Sequence, residues 1–196
     1  MAAIIFGCVY SSFDEIGKII MPATLEPRPS QLSAQEFVAS YGSIYEHSPW
    51  VAEIVARDGV DEMDDQPAVL ARRMAEIVEN AGDDRKLELL RAHPELAGKL
   101  AVRDELTEES KDEQASAGLD RCSPDEFQRF QELNGRYNDK FGFPFIIAVR
   151  DLQRDQILGA FGQRMENEPD VEFQTALDQV HKIARLRLEA MASDHN

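Results

Sequence analysis

Between Ser33 and Met191 the chain is written as a succession of helices with marked ends, and almost nothing in it alternates as a half-buried strand would. That punctuation narrows the possible folds more than any other property. Ser33 can accept an N-cap bond and Glu36, three residues on, completes a capping box ahead of a stripe of Phe37, Tyr41, Ile44 and Tyr45. Ser48 caps a helix that opens on Pro49, carries Trp50, Val51, Ile54 and Val55 inward and stops at Gly59. Gln66 to Asn80 follows, with Val69, Leu70, Met74, Ile77 and Val78 on one side and Gly82 as its stop. Asp83 or Asp84 caps the next, whose Leu87, Leu89 and Leu90 lead into Arg91-Ala92-His93-Pro94. Thr107 caps a helix that holds Ser110 and closes at Gly118, and Ser123 and Pro124 open another with Phe127, Phe130, Leu133 and Tyr137 aligned, ending at Gly142. Gln153 to Met165 and Val171 to Met191 complete the series. The spacing predicts an all-α fold, a single compact domain of seven to eight helices over residues 31–196.

Three stretches depart from this pattern. Phe141 to Val149 is the one strongly apolar run; Pro144 enforces extension at Phe143, so it reads as a buried extended strip leading into helix. The acidic loop Asp58 to Asp65 lacks the alternating ligands and final Glu of an EF-hand and reads as solvated. Residues 1–30 hold a short apolar run and then Pro22, Pro27 and Pro29, which forbid a continuous helix; they read as a loosely ordered, dispensable N-terminal extension, with Met21 an alternative start.

Charge and composition exclude several functions. A formal net charge of −16 opposes binding to phosphate backbones or anionic lipid, and no run approaches the ~20 apolar residues of a membrane span. Cys8 and Cys122 are too few for a disulfide framework and lack zinc-site spacing. Neither a secretory signal nor a peroxisomal address is evident, so a soluble cytoplasmic protein is expected, with no nucleic-acid or membrane partner.

The candidate chemistry lies between Arg91 and Leu119. Ser110, Glu113, Gln114 and Ala117 fall at i, i+3, i+4 and i+7, one side of a helix, where a core stripe would be apolar. Such a face is either solvated or turned into a polar pocket, and spacing does not decide. His93 precedes Pro94, which ends its helix near the negative C-terminal pole; that favours the imidazolium and suits a proton donor, while a capping histidine is the bland alternative. Glu113 could orient a group or exchange a proton, and Gln114 could hold a carbonyl and an N–H together. Arg150 could anchor a substrate carboxylate or serve a structural salt bridge. No HExxH, CxxC, phosphate-loop glycine motif or GxSxG elbow occurs, so metal-dependent hydrolysis, nucleotide use and serine-hydrolase chemistry lose support.

Three motifs, in order, carry a resemblance: His93-Pro94-Glu95-Leu96-Ala97-Gly98, then Ser110-x-x-Glu113-Gln114-x-x-Ala117-Gly118-Leu119, then Asn134-x-x-Tyr137-x-x-Lys140-Phe141-Gly142-Phe143-Pro144-Phe145. Together with the closing Leu186-Arg187-Leu188 they resemble the decarboxylases of 2-oxo-4-hydroxy-4-carboxy-5-ureidoimidazoline (OHCU), over about Ser33 to Met191. The resemblance implies a cofactor-free, metal-free carboxy-lyase, usually a homodimer. It would act third in urate degradation, after urate oxidase and hydroxyisourate hydrolase, and yield (S)-allantoin. It further implies His93 as proton donor, with Pro94, the run Ser110, Lys111, Asp112, Glu113, Gln114 and the strip Phe145, Ile146, Ile147, Ala148, Val149 holding the substrate. A non-catalytic helical interaction module, or a lyase or hydrolase of another ureido compound, is the alternative; the module predicts that His93, Glu113 and Gln114 diverge in space.

Overall fold

The computed structural model describes residues 23–97 and 108–193. Among them are eight α-helices: α1 Ala34–Tyr41, α2 Trp50–Asp58, α3 Pro67–Glu79, α4 Asp83–Arg91, α5 Glu108–Ser116, α6 Pro124–Phe141, α7 Arg154–Arg164 and α8 Pro169–Ala190. The fold is all-α, as the punctuation predicts.

The caps do what their residue types require. Ser33 and Ser123 each accept a bond from the backbone N–H three residues on, and Glu36 and Glu126 reach back to complete both boxes. Asp83 and Asp84 sit one step later than expected, in the first turn of α4 behind Gly82, where their charge suits the positive pole. Ser48 makes no side-chain cap, and α2 starts at Trp50. Gly142 ends α6 at φ 76°, a left-handed conformation that costs glycine nothing. The expected Thr107 cap and the Met21 start lie outside the described residues.

α8, the longest helix, runs through the middle of the molecule and packs on α3, α4 and α6. Its buried positions Ala176, Leu177, Val180, Ile183, Ala184, Arg187 and Leu188 recur every three or four residues, and Arg187 stands in an otherwise mostly apolar stripe. Beside it, Phe130 and Tyr137 of α6, Phe145 of the following strip and Phe161 of α7 form an aromatic cluster, with Phe145 stacked on Phe161 at 3.7 Å between ring centres. Truncating one of these fully buried rings to alanine would cost about 3–5 kcal/mol in transfer and cavity energy.

Residues 23–30 pack onto this domain. Thr24–Leu25 pair antiparallel with Ala192–Ser193, Leu25 is fully buried, and the Ser30 N–H and hydroxyl both donate to Asp65 at 2.8 Å. The acidic loop is not solvated at its end: Asp64 and Asp65 are buried, because Arg73 donates to Asp64 at 2.5 Å and Ser30 satisfies Asp65. Phe143 to Val149 is neither helical nor paired as a strand, is held to α8 by the Ala148 N–H donating to Gln179, and leads into a turn before α7.

Candidate active site

Five pieces of chain meet at one cleft: the turn between α1 and α2, the end of α4, one face of α5, the extended strip and the last turns of α8. His93 and Pro94 come from α4's end, Ser110, Glu113 and Gln114 from α5, and Phe145, Ile146, Ile147 and Val149 from the strip. The polar face of α5 therefore looks into a pocket: Ser110 and Ala117 are buried, and Glu113 and Gln114 half-buried. The same convergence disagrees with a non-catalytic module. A broader depression between α2 and α3, where Arg85 stacks 4.0 Å over Trp50, contains none of the residues that the sequence offers as candidates for chemistry.

The run from Ser110 to Gln114 does not act as a block. Successive helical residues turn by about 100°, so Lys111 and Asp112 lie off the face and do not line the cleft. Ala148 is also displaced from it; its N–H is held by Gln179 Oε1 at 3.1 Å. Arg150 is exposed at the turn after the strip, outside the cleft.

The cleft's arginine is Arg187, unassigned by sequence reasoning, as is Glu46. Arg187 donates through Nε and Nη2 to the two oxygens of Glu113, both at 2.9 Å. Its Nη2 also reaches Ser110 Oγ at 3.0 Å and Glu46 at 3.3 Å, and Nη1 reaches the carbonyls of Ser43 and Ile44. The Ser110 hydroxyl donates to Glu46, which is 1% exposed. Burial would lower the Arg187 guanidinium, but the hydrogen bonds and charge of Glu113, then Glu46, outweigh it and raise it further. Its sequence signal was a cation on an apolar stripe at Val180, Ile183 and Arg187; Glu46, in a turn, had none.

His93 is 8% exposed, and its Nδ1 lies 3.0 Å from the Leu89 carbonyl. A carbonyl can only accept, so Nδ1 carries the proton and Nε2 keeps a lone pair. The capping role and the cleft role thus coexist. The expected imidazolium does not: burial pushes His93 below its ordinary 6.5, overcoming the Leu89 carbonyl and Glu46, while Arg187 and His47 push the same way. Desolvation defeats the helix-pole argument, which holds for solvated termini. Gln114 accepts from the Ala97 N–H at 3.2 Å, which leaves its NH2 as the free end of the amide.

The OHCU decarboxylase family model matches residues 30–189. The chain belongs to the OHCU decarboxylase family. A relative from Halalkalicoccus jeotgali, a 2-oxo-4-hydroxy-4-carboxy-5-ureidoimidazoline decarboxylase, is 45% identical over 83% of this chain and 88% of its own. A crystal structure of (S)-allantoin synthase matches with a TM-score of 0.68 and 36% identity, covering 88% of this chain; this chain spans 54% of that one. A crystal structure of OHCU decarboxylase in the presence of (S)-allantoin matches with a TM-score of 0.61 and 26% identity over 76% of this chain and 94% of its own.

Proposed function

We propose that this family member decarboxylates OHCU to (S)-allantoin in urate degradation, without a cofactor, in the cleft between His93 and the Ser110–Gln114 face of α5. The observation that carries the proposal is the convergence of His93, just past α4, with Glu113 and Gln114 of α5 on one cleft beside an apolar strip.

The reaction sets the demands. When CO2 leaves the carbon bearing both hydroxyl and carboxylate, its bonding pair remains and forms a double bond to the ureido-bearing carbon. The displaced C=N π pair takes a proton on nitrogen. The hydroxyl proton then leaves oxygen, giving a carbonyl, and a proton reaches the ureido-bearing carbon from one face only. A neutral His93 fits the last two steps: its Nε2 lone pair takes the hydroxyl proton, and the imidazolium so formed returns one to carbon. This replaces a permanently charged donor with a shuttle. Glu113, held by Arg187, accepts ureido N–H bonds, and the Gln114 NH2 donates to a ring or ureido carbonyl. Arg187 spends its donors on Glu113, Ser110, Glu46 and two carbonyls, so it does not stabilise the ground-state carboxylate. The wall of Phe145, Ile147 and Val149 suits a carboxylate whose charge disperses as CO2 forms.

Freshly generated OHCU, followed by circular dichroism, tests this. The expected product is (S)-allantoin, and His93→Ala should slow its formation by about 10²–10⁴-fold, the range for a lost general acid–base. Racemic product from the wild-type enzyme, or an unimpaired His93→Ala enzyme, would overturn the proposal. The homodimer and cytoplasmic location implied by the resemblance belong to the same proposal; light scattering should give the mass of two chains, and fractionation of the source cell should place the protein in the cytoplasm. Among the described residues no helix is long and apolar enough to cross a membrane.

A further inference from the structure

From His93 to Ala97 the chain forms no helix or strand, yet its polar groups are taken up from one side by α6. Gln131 Nε2 donates to the Ala97 carbonyl at 3.0 Å, Asn134 Nδ2 to the Leu96 carbonyl at 2.9 Å, and Asn138 Nδ2 to Glu95 Oε1 at 2.6 Å. These amides lie at i, i+3 and i+7 and form one row along the helix. From the other side, the Ala97 N–H donates to Gln114 Oε1 at 3.2 Å. Ala97 holds φ 48°, a left-handed conformation that alanine rarely adopts, and in it the residue's N–H meets Gln114 while its carbonyl meets Gln131.

Two features single out Asn134. It stands between Phe130 and Tyr137 on the buried stripe of α6, 2% exposed, where leucine would pack without a polar cost. Its Oδ1 is the one buried side-chain nitrogen or oxygen among the described residues with no hydrogen-bond partner. The orientations follow from obligate groups: a backbone carbonyl can only accept and an N–H only donate, so Asn134 turns its NH2 to Leu96 and Gln114 its oxygen to Ala97.

We infer that Asn134 and Gln131 are positioning residues for the decarboxylation. They hold the Leu96–Ala97 backbone so that Gln114 presents NH2 donors, not its carbonyl, to the substrate, and so that His93 keeps its Nε2 edge in the cleft. Neither touches the reacting atoms; Asn134 acts through Leu96, and Gln131 acts through the Ala97 peptide on Gln114. The inference rests on the cleft being the OHCU site.

The test uses the full chain and freshly generated OHCU, with thermal melts on every variant. Gln131→Ala and Asn134→Asp should each lower kcat by about 10-fold or more with a smaller change in KM, since small misplacements of binding groups are costly. Gln131 is only half-buried, so its variant should keep the wild-type Tm and decides the matter if Asn134→Asp folds poorly. Arg129→Ala, on the exposed face of α6, should leave kcat and KM unchanged. If Gln131 works through Gln114, adding Gln131→Ala to Gln114→Ala should cost little more than Gln114→Ala alone. Independent, multiplying losses, or a Gln131→Ala enzyme within twofold of wild type, would overturn the inference while leaving the active-site reading intact. A wild-type chain that produces no (S)-allantoin would overturn the active-site reading and this inference with it.

Discussion

Two of the arginine–carboxylate clusters buried among the described residues are built from similar parts and serve different ends. In the first, Glu172 of α8 is fully buried and accepts from Arg164 Nε at 2.7 Å, from Asn167 Nδ2 at 2.6 Å and from the Tyr137 hydroxyl. Arg164 also donates to the Ile146 carbonyl at 2.6 Å and stacks on Phe145 at 4.5 Å. Burial and the bond to Glu172 push the Tyr137 phenol far up, so it stays a protonated donor at any physiological pH. In the second, Arg187 gathers Glu113, Ser110 and Glu46 beside a histidine that burial keeps neutral. The first cluster closes on itself and braces the strip; the second opens on the cleft that the strip lines. A buried ion pair is therefore weak evidence of function. What marks the second is an adjacent titratable group whose ordinary range includes neutral pH, turned toward open space.

Substitutions that separate bracing from chemistry sharpen this contrast. The largest effect on folding is expected from Glu172→Ala, which strands Arg164 in the core and should cost about 3–5 kcal/mol. At roughly 2–4 °C per kcal/mol for a chain of this size, the melting temperature should fall by about 6–20 °C. The fraction that stays folded should keep much of its activity; full inactivation without loss of stability would erase the distinction between the clusters. Glu113→Gln is expected to do the reverse. It breaks the bidentate pair with Arg187 and removes a substrate acceptor, so kcat/KM should drop on the order of 10²-fold, about 2.7 kcal/mol, against a smaller change in melting.

The pH profile comes next in size. His93 has a folded pKa below its ordinary 6.5, so the free enzyme holds the neutral imidazole at pH 7, and the stability tied to that neutral form is lost as pH falls below 6.5. The acid limb of kcat/KM should lie below pH 6.5, and His93→Gln should flatten the loss of stability over the same window. A kcat/KM that instead falls as pH rises through the His93 titration, with no acid limb, would restore the imidazolium reading. Smallest of all should be Arg150→Ala: the residue is exposed and outside the cleft, so kcat/KM is expected within twofold of wild type. A loss comparable to that of Glu113→Gln would mean the cleft extends past Val149.

Much of this was legible along the chain because its physics is local. A cap involves residues three apart and a stripe residues three or four apart, so Ser33 with Glu36, the helix start at Ser123 and Pro124, and the Ser110, Glu113, Gln114 face could be placed without knowing what surrounds them. Proline and glycine ended helices as backbone sterics require, at Pro94 and Gly142. Helical rotation also sets the limit of the run Ser110 to Gln114: its register excludes Lys111 and Asp112 from any single face.

The identity of the cleft's arginine and the charge on its histidine depended on distance through space. Arg187 lies 74 residues from Glu113 and 141 from Glu46, and nothing between them in the chain brings them together. His93 looks cationic when only its own helix is counted and is neutral once burial is counted, because desolvation depends on every element packed around it. By itself the sequence determined the helices, several of their ends and the polar face of α5, although α1 stops at Tyr41, short of the Ile44 and Tyr45 that its stripe included. Whether that face met solvent or a pocket, which arginine stood behind it, and which protonation state stood opposite were decided by tertiary packing, through burial and the electrostatics that burial strengthens.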